Sequence, residues 1–223
     1  MTHDLDPVRT ILTWLRAAHP ALLPTSPEET ETQLRALEQD LGVALPADLR
    51  HYFQVLGPYL IAHEHGLFYG MTALPLSAAL QERADFSSPG SVFLSPECPA
   101  AEAADPPGTV RLVGFDAGWL PVAHDHSGAY LAVDLHPAAG GQVGQIINFG
   151  LRERTRFVLA SSITEFFAHL LEHLAAGRVE VDCEAGVVEV RFTDPEITHP
   201  LDLCEQGGAS ALRPAEVTPF TDV

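Results

Sequence analysis

The sequence contains no lysine, and its 12 cationic side chains are all arginine, against 30 aspartate and glutamate residues in a chain of 223. The formal net charge of −18 disfavours binding to nucleic acid and docking on anionic membranes, because both require a cationic protein surface. The same charge is compatible with two roles, which are keeping the protein soluble and steering a basic protein partner towards it. The absence of lysine also excludes the phosphate-binding loop G-x-x-x-x-G-K-[ST].

Cysteines and long apolar runs are scarce as well. Cys98, Cys183 and Cys204 are widely spaced without a C-x-x-C pair, which favours reduced thiols over a disulfide framework or a zinc knuckle. We expect no membrane span, because no apolar run reaches the roughly 18 residues that a spanning helix needs. Residues 1–6 lack the basic start and apolar middle of a signal peptide, so we expect a cytoplasmic protein.

Known catalytic motifs are also absent from the sequence. There is no G-x-S-x-G nucleophile motif, and no cysteine lies in a recognisable reactive motif. His169 and His173 are four residues apart on a predicted helix, but Glu172 does not occupy the position required by H-E-x-x-H, so we interpret both histidines as boundary residues of that helix. These searches give no catalytic residue, no metal site and no cofactor.

Amphipathic segments dominate the first part of the chain and predict helices. Asp6 followed by Pro7 is typical of a helix start, and apolar residues follow at Val8, Ile11 and Leu15 with helical spacing. Four further helices are predicted, beginning at the capping box of Ser26, at Pro46, at residue 76 and at the capping box of Ser162.

Strand-like patterns fill the middle and the end of the chain. Residues 119–149 hold three apolar runs separated by two polar turns, which predicts an antiparallel meander. Additional strands or hairpins are predicted at 59–71, 110–115, 156–159 and 178–193. Because helices and strands are segregated along the chain, we expect an α+β fold, a mainly antiparallel sheet with helices packed on one face plus a C-terminal hairpin.

Two segments lack periodicity and are predicted to be irregular. Residues 95–108 are rich in proline, alanine and acidic side chains, which predicts a surface loop or insertion. Residues 194–223 contain four prolines and predict an extended arm or a disordered tail.

Three motifs in order resemble the SUKH superfamily, which includes fungal cell-wall-assembly regulators and many bacterial immunity proteins. The first is Leu41-Gly42-Val43-x-Leu45-Pro46-x-Asp48-Leu49-Arg50-x-Tyr52, and the second is Trp119-Leu120-Pro121-Val122-Ala123 with the Asp, Gly and Gln positions that follow it as far as Gln145. The third is the helix from Ser162 to Ala175. The resemblance implies a SUKH-like α+β domain over residues 1–177 with a twisted sheet, the hairpin 178–193 and the tail being additions. It also implies binding rather than catalysis.

The meander supplies the candidate binding residues. Its first turn, His124 to Ala129, departs from the Asp- and Asn-rich pattern of the family by carrying two histidines around Asp125. These histidines could begin a zinc site, but they supply only part of a tetrahedral ligand set, so we interpret them as turn residues. The candidate residues are Trp119, which is also expected in the core, His124, Asp125, His126, Tyr130 and Asp134, the last expected on an open sheet face.

These observations predict a non-enzymatic, acidic protein-binding module. The first hypothesis is an immunity protein that neutralises a basic toxin domain, such as a nuclease, by presenting an acidic face that mimics nucleic acid. The alternatives are an intracellular regulatory scaffold protein and a metal-dependent enzyme that uses the His/Asp turns. The partner and the oligomeric state stay open.

Overall fold

The computed structural model describes residues 6–18, 20, 27–61, 63–95, 100–207 and 212. The helices are α1 Pro7–Ala18, α2 Pro27–Leu41, α3 Ala47–Val55, α4 Gly57–Leu60, α5 Leu76–Phe86, α6 Ile163–Ala175 and α7 Pro200–Gly207, with a 3-10 turn at Val92–Leu94. The strands are β1 Thr72–Ala73, β2 Ala103–Asp105, β3 Trp119–His124, β4 Ala129–Asp134, β5 Gln145–Gly150, β6 Thr155–Ala160, β7 Val179–Glu184 and β8 Val187–Phe192. The predicted α+β class is confirmed.

Six strands form one sheet in the order β1-β3-β4-β5-β6-β2. The predicted meander is confirmed as β3, β4 and β5, which pair antiparallel, and β6 and β1 extend the sheet in the same antiparallel manner. β2 pairs parallel with β6 at the far edge. The sheet is therefore mainly antiparallel, with one parallel edge.

Apolar side chains on one face of the sheet pack against helices. Leu131 and Val133 of β4 share a core with Ile11 of α1, Phe53 of α3 and Phe167 of α6, all of them buried. Helices α1, α3 and α6 thus form the layer that the sequence predicts for one face.

The opposite face of the sheet carries a second, aromatic core. Trp119 of β3 and Phe149 of β5 pack there with Phe93 and Phe115, and the half-buried Phe86 joins them. Phe93 and Phe115 lie in the long connection between α5 and β3, so this connection, rather than a layer of helices, covers the second face.

The hairpin predicted at residues 178–193 is confirmed as β7 and β8. It packs against α1 and α6, and Val179, Val188 and Val190 are buried in the core beneath the helices. Gly66 makes a parallel bridge to Glu189 and extends this small sheet.

Helix starts follow the predicted capping chemistry where the structure describes them. The Asp6 carboxylate accepts from the N–H of Val8 at 3.1 Å, and the Ser162 hydroxyl accepts from the N–H of Glu165 at 3.1 Å. Such caps satisfy N–H groups that have no partner within a helix. Ser26, the third predicted cap, lies outside the described residues.

Two predicted strand segments are wrong. The apolar runs 59–63 and 66–71 do not pair with each other as a hairpin: Gly57–Leu60 is a short helix, Gly66 pairs with β8, and Phe68 makes a single antiparallel bridge to Met71. Residues 110–115 form no ladder, because Val110 and Phe115 turn into the aromatic core instead of pairing.

Two segments predicted to be irregular contain regular structure. Within residues 95–108, β2 forms because Ala103–Asp105 pairs with the edge of β6. Within 194–223, Pro200–Gly207 is helical, and Leu201 and Cys204 are buried on the core side of α7. The sequence signal of α7 is weak because the helix has only eight residues, too few for a sustained apolar period.

None of the described helices is long and apolar enough to cross a membrane. Of the three cysteines, Cys183 is an exposed free thiol and Cys204 a buried one, while Cys98 lies outside the described residues.

Candidate functional site

Asp125 organises the turn between β3 and β4. Its Oδ1 accepts from the N–H of Ser127 at 2.8 Å and of Ala129 at 2.9 Å, and the Ser127 hydroxyl donates to Oδ2. Burial opposes ionisation of this carboxyl, but the three hydrogen bonds outweigh it and lower its pKa. Asp125 therefore stays charged while it holds the turn, as a turn residue would.

The two histidines of this turn lie side by side. The ring centroids of His124 and His126 are 4.2 Å apart, and His126 has a φ of 60°. His126 Nε2 is 3.0 Å from the hydroxyl of Thr72 and 3.9 Å from the carboxylate of Glu64. Burial and the neighbouring His126 lower the pKa of His124. Within the described ranges, no group of three or more histidine, cysteine or acidic side chains is placed to hold a metal ion.

Trp119 and Tyr130 belong to the aromatic core. Trp119 is 0% exposed, and the guanidinium of the buried Arg156 lies 5.6 Å from its ring centroid. Tyr130 is half-buried and stacks on Phe149 at 5.0 Å, and burial raises the pKa of its hydroxyl to about 12. Trp119 therefore lies in the core, as expected, whereas Tyr130 extends from the core to the turn.

Asp134 does not lie on an open sheet face, so that expectation is wrong. The residue is 0% exposed and pairs with Trp119 across β3 and β4. Its carboxyl accepts from the N–H of His136 and the side-chain amide of Gln145, both at 3.0 Å. Burial raises its pKa to about 6. The connection between α5 and β3 covers this face, so Asp134 is an internal hydrogen-bond acceptor.

A cavity of about 700 Å³ opens beside the turn, and we name it the acidic cleft. Its walls come from four parts of the chain, namely Asp125 and His126, Tyr69 to Met71, Glu189 to Phe192, and Asp194 to His199. A smaller hollow of about 370 Å³ also borders Asp125 and His199. Of the predicted site residues, Asp125 and His126 line the cleft, whereas Trp119, His124, Tyr130 and Asp134 do not.

Carboxylates outnumber cations in the acidic cleft. Asp125, Glu189 and Asp194 line it, while the guanidinium of Arg191 is engaged by Glu189 at 2.5 Å and by Asp182 at 3.3 Å. Burial lowers the pKa of His199, although the charge of Asp125 opposes this shift, so the imidazole adds no fixed positive charge. The cleft therefore favours a cationic ligand.

The sequence did not predict that β8 and residues 194–199 line the cleft. The alternation of Val188, Val190 and Phe192 predicted the hairpin, but a period of two does not specify which edge is open or what lies beside it. The sequence predicts that residues 194–199 belong to an extended arm or a disordered tail. Their turn-forming Asp194 and Pro195 were the available signal.

Glu82 is a second residue that sequence reasoning missed. It lies on α5, which packs against β3, and its Oε2 is buried without a hydrogen-bond partner in the part of the chain that the structure describes. Burial, with a smaller contribution from Asp85, raises the pKa of Glu82 to about 7. No sequence pattern distinguishes it from a solvated helix residue.

Known proteins resemble this chain over most of its length. A 31% identical stretch of 175 residues matches the cell wall biosynthesis/cell cycle regulator smi1 of Schizosaccharomyces pombe, covering 74% of this chain and 35% of that protein. The KNR4/SMI1 homolog of Yarrowia lipolytica is 29% identical over 69% of this chain and 28% of its own length. The glucan synthesis regulatory protein of Neurospora crassa is 27% identical over 80% of this chain and 40% of its own length.

This chain therefore spans well under half the length of these relatives. The family model described as SMI1 / KNR4 family (SUKH-1) matches residues 28–169, which run from the first turn of α2 to the middle of α6 and include the whole six-stranded sheet. The superfamily resemblance carried by the three sequence motifs is confirmed, and the chain belongs to the SMI1/KNR4 family, SUKH-1.

Proposed function

We propose that this chain is a non-enzymatic regulatory domain that binds a protein partner through the acidic cleft. The observation that carries the proposal is membership of the SMI1/KNR4 family, together with relatives whose names describe regulators of cell wall biosynthesis and of glucan synthesis. We expect the partner to bear a basic segment, because the cleft is lined by three carboxylates and by one arginine that is already paired with an acidic side chain.

Binding suits the candidate residues better than catalysis does. Asp125 is occupied by the hydrogen bonds that hold its turn, and Asp134 is enclosed in the sheet. Trp119 is packed in the aromatic core. Residues with these structural duties are poorly suited to proton transfer with a substrate, which requires a group within hydrogen-bond reach of the reacting atoms.

The names of the relatives favour a regulatory scaffold over the immunity protein of our first hypothesis. Two of the three relatives named above are described as regulators, and none of the three is described as neutralising a toxin. The net charge of −18 is compatible with either hypothesis, since an acidic protein attracts a basic toxin and a basic regulatory partner alike.

Affinity capture separates these readings. The purified chain is immobilised and exposed to lysate of its own cells at about 50 mM and about 300 mM salt, and retained proteins are identified by mass spectrometry. We expect a reproducible partner that is retained at low salt and weakened at high salt, because exposed charge interactions are screened. A secreted toxin as that partner would restore the immunity reading, and no retained protein at either salt would overturn the proposal.

A further inference from the structure

We propose that the outer edge of β7 is a second docking surface, which takes up an extended basic segment of another protein as an added strand. A strand edge carries N–H and C=O groups without a partner in the sheet, and extended peptides bind such edges through main-chain hydrogen bonds. In the part of the chain that the structure describes, β7 pairs with β8 and with no other strand. No residue of β7 lines the acidic cleft, so this surface is separate from it.

The pairing of β7 with β8 determines which main-chain groups of β7 point outwards. Val188 O accepts from the N–H of Gly66 at 3.0 Å, and the N–H of Val190 donates to Gly66 O at 3.0 Å. The main-chain groups of Val188 and Val190 therefore point away from β7. Cys183 and Val181 lie opposite them. Because opposed residues of an antiparallel pair either bond to each other or both point away, Val181 and Cys183 direct their N–H and C=O groups to the outer edge of β7.

These outward groups are unpaired, and the strand that carries them is accessible. Among the described residues, neither Val181 nor Cys183 makes a main-chain hydrogen bond at this edge. Cys183 and its neighbour Glu184 are exposed, and Val181 is half-buried. β7 therefore offers four main-chain groups, two donors and two acceptors, to an added strand.

The charges on β7 select a basic occupant. Because side chains alternate along a strand, Glu180, Asp182 and Glu184 share one face, opposite the face of Val179 that is buried in the core. Asp182 is paired with Arg191 at 3.3 Å, whereas Glu180 and Glu184 are exposed and form no salt bridge within the described ranges. Basic side chains at alternate positions of an added strand would lie opposite these acids, and oppositely charged cross-strand pairs stabilise a sheet.

The same charges disfavour a second copy of this chain as the occupant. Two β7 strands paired antiparallel in one sheet would place the acids of one copy opposite those of the other, and like charges directly opposite each other destabilise the pairing. On the core side of β7, the half-buried Val181 packs against the helix-side core. The occupant that fits both faces is a segment in which basic residues alternate with apolar ones.

Cys183→Pro tests the main-chain contact. Proline removes an N–H that points to the outer edge and removes no bond to β8, and sheets accept proline on edge strands. Cys183→Ala is the matched control, since it also loses the exposed thiol but keeps the N–H. Circular dichroism and thermal unfolding of both variants establish that they are folded.

The probe is a short fluorescein-labelled peptide in which arginine alternates with valine, and its binding to the full chain is measured by anisotropy at about 50 mM salt, where charge interactions are weakly screened. Loss of one main-chain hydrogen bond predicts about fivefold weaker binding to Cys183→Pro than to Cys183→Ala. A control peptide with glutamate in place of arginine should not bind, because like charges would face each other.

Hydrogen exchange of the wild-type chain locates the peptide without any substitution, so it decides the matter even if Cys183→Pro does not fold. We expect the bound peptide to slow exchange of the Val181 and Cys183 amides, because both N–H groups gain an acceptor. Exchange of the Glu180 and Asp182 amides, which already bond to β8, should change little.

Equal affinity of the peptide for Cys183→Pro and Cys183→Ala, or unchanged exchange of the Val181 and Cys183 amides at saturation, would overturn the inference. Protection confined to residues of the acidic cleft would place the peptide there and would overturn it as well. Dimers of the chain that Cys183→Pro abolishes would assign the edge to a second copy and exclude the basic segment as its occupant. Capture of a lysate partner through the acidic cleft tests the proposed function separately.

Discussion

Glu82 is a half-buried carboxyl on the face of α5 that packs against the sheet, and burial raises its pKa to about 7. An acid whose pKa is higher in the folded state than in the unfolded state, where it is near 4.5, makes the fold less stable as pH rises from 4.5 through 7. Glu82→Gln removes the charge, so we expect it to stabilise the protein at pH 8 by about 1 kcal/mol, after allowing for partial solvent screening.

Urea unfolding of wild type and Glu82→Gln at pH 5 and pH 8 provides the measurement. The difference should be present at pH 8 and mostly lost at pH 5, where the wild-type carboxyl is protonated in the folded state. A variant that is no more stable than wild type at pH 8 would show that Glu82 ionises without cost.

His173 has the opposite pH dependence. It lies against Tyr69, with ring centroids 5.7 Å apart, and burial, followed by the nearby charge of Arg178, lowers its pKa to about 4. The unfolded chain takes up this proton below pH 6.5, so stability present above that pH is lost as pH falls towards 4. Because glutamine does not titrate, the unfolding free energy of His173→Gln should fall by about 1–2 kcal/mol less than that of wild type as the pH falls towards 4.

The stability difference between wild type and His173→Gln, followed by denaturant titration from pH 7 to pH 4.5, isolates this effect from those of Glu82 and Asp134. We expect the variant to gain on wild type as the pH falls. A constant difference across the range would contradict the buried neutral state of His173.

Individual residues of the site were predicted unevenly, for physical reasons. The role of Asp125 could be predicted because an aspartate side chain often accepts a hydrogen bond from the backbone N–H two residues later. This bond, here from Ser127, forms a turn without any tertiary contact. The burial of Asp134 could not be, because the alternation along β4 does not reveal that a distant connection covers the polar side of the strand. The raised pKa of Glu82 likewise depends on how α5 packs against β3.

At the scale of elements, α7 provides a test of the C-terminal segment. Leu201 is buried at 5% exposure in the helix-side core, whereas Glu205 on the same helix is exposed. Leu201→Ala should therefore cost about 2–3 kcal/mol of unfolding free energy, and Glu205→Ala, the matched control, close to zero. Chemical denaturation of both variants checks this, and an equal effect of the two would mean that α7 does not pack on the core.

Elements with strong local signals could be predicted from the sequence, and elements that depend on distant partners could not. α1, α6 and the hairpin have sustained periodicity with recognisable caps or turns, and the meander has apolar runs bounded by polar turns. β2 has only three residues and forms because it pairs with the edge of β6. Gly66 was predicted to belong to a local hairpin but pairs with β8. Such pairings are specified by the assembled fold rather than by the segment itself.

The whole molecule has two hydrophobic cores and a formal net charge of −18. The six-stranded sheet lies between the helix-side core and the aromatic core, and β8 of the small sheet lines the acidic cleft. The matched family segment ends at residue 169, so nine of the fourteen residues that line the acidic cleft, all in β8 or in residues 194–199, lie beyond it.

Charge reversal at Asp194 distinguishes binding in the acidic cleft from binding elsewhere on the protein. Asp194→Lys places a cation in the cleft, and Glu29→Lys makes the same change in net charge at an exposed position of α2 outside it. Titration of the captured partner at about 50 mM salt should show at least about fivefold weaker binding to Asp194→Lys and less than about twofold to Glu29→Lys, because only the first opposes a basic segment at close range. Equal affinities for the two variants would contradict the assignment of the acidic cleft as the binding site.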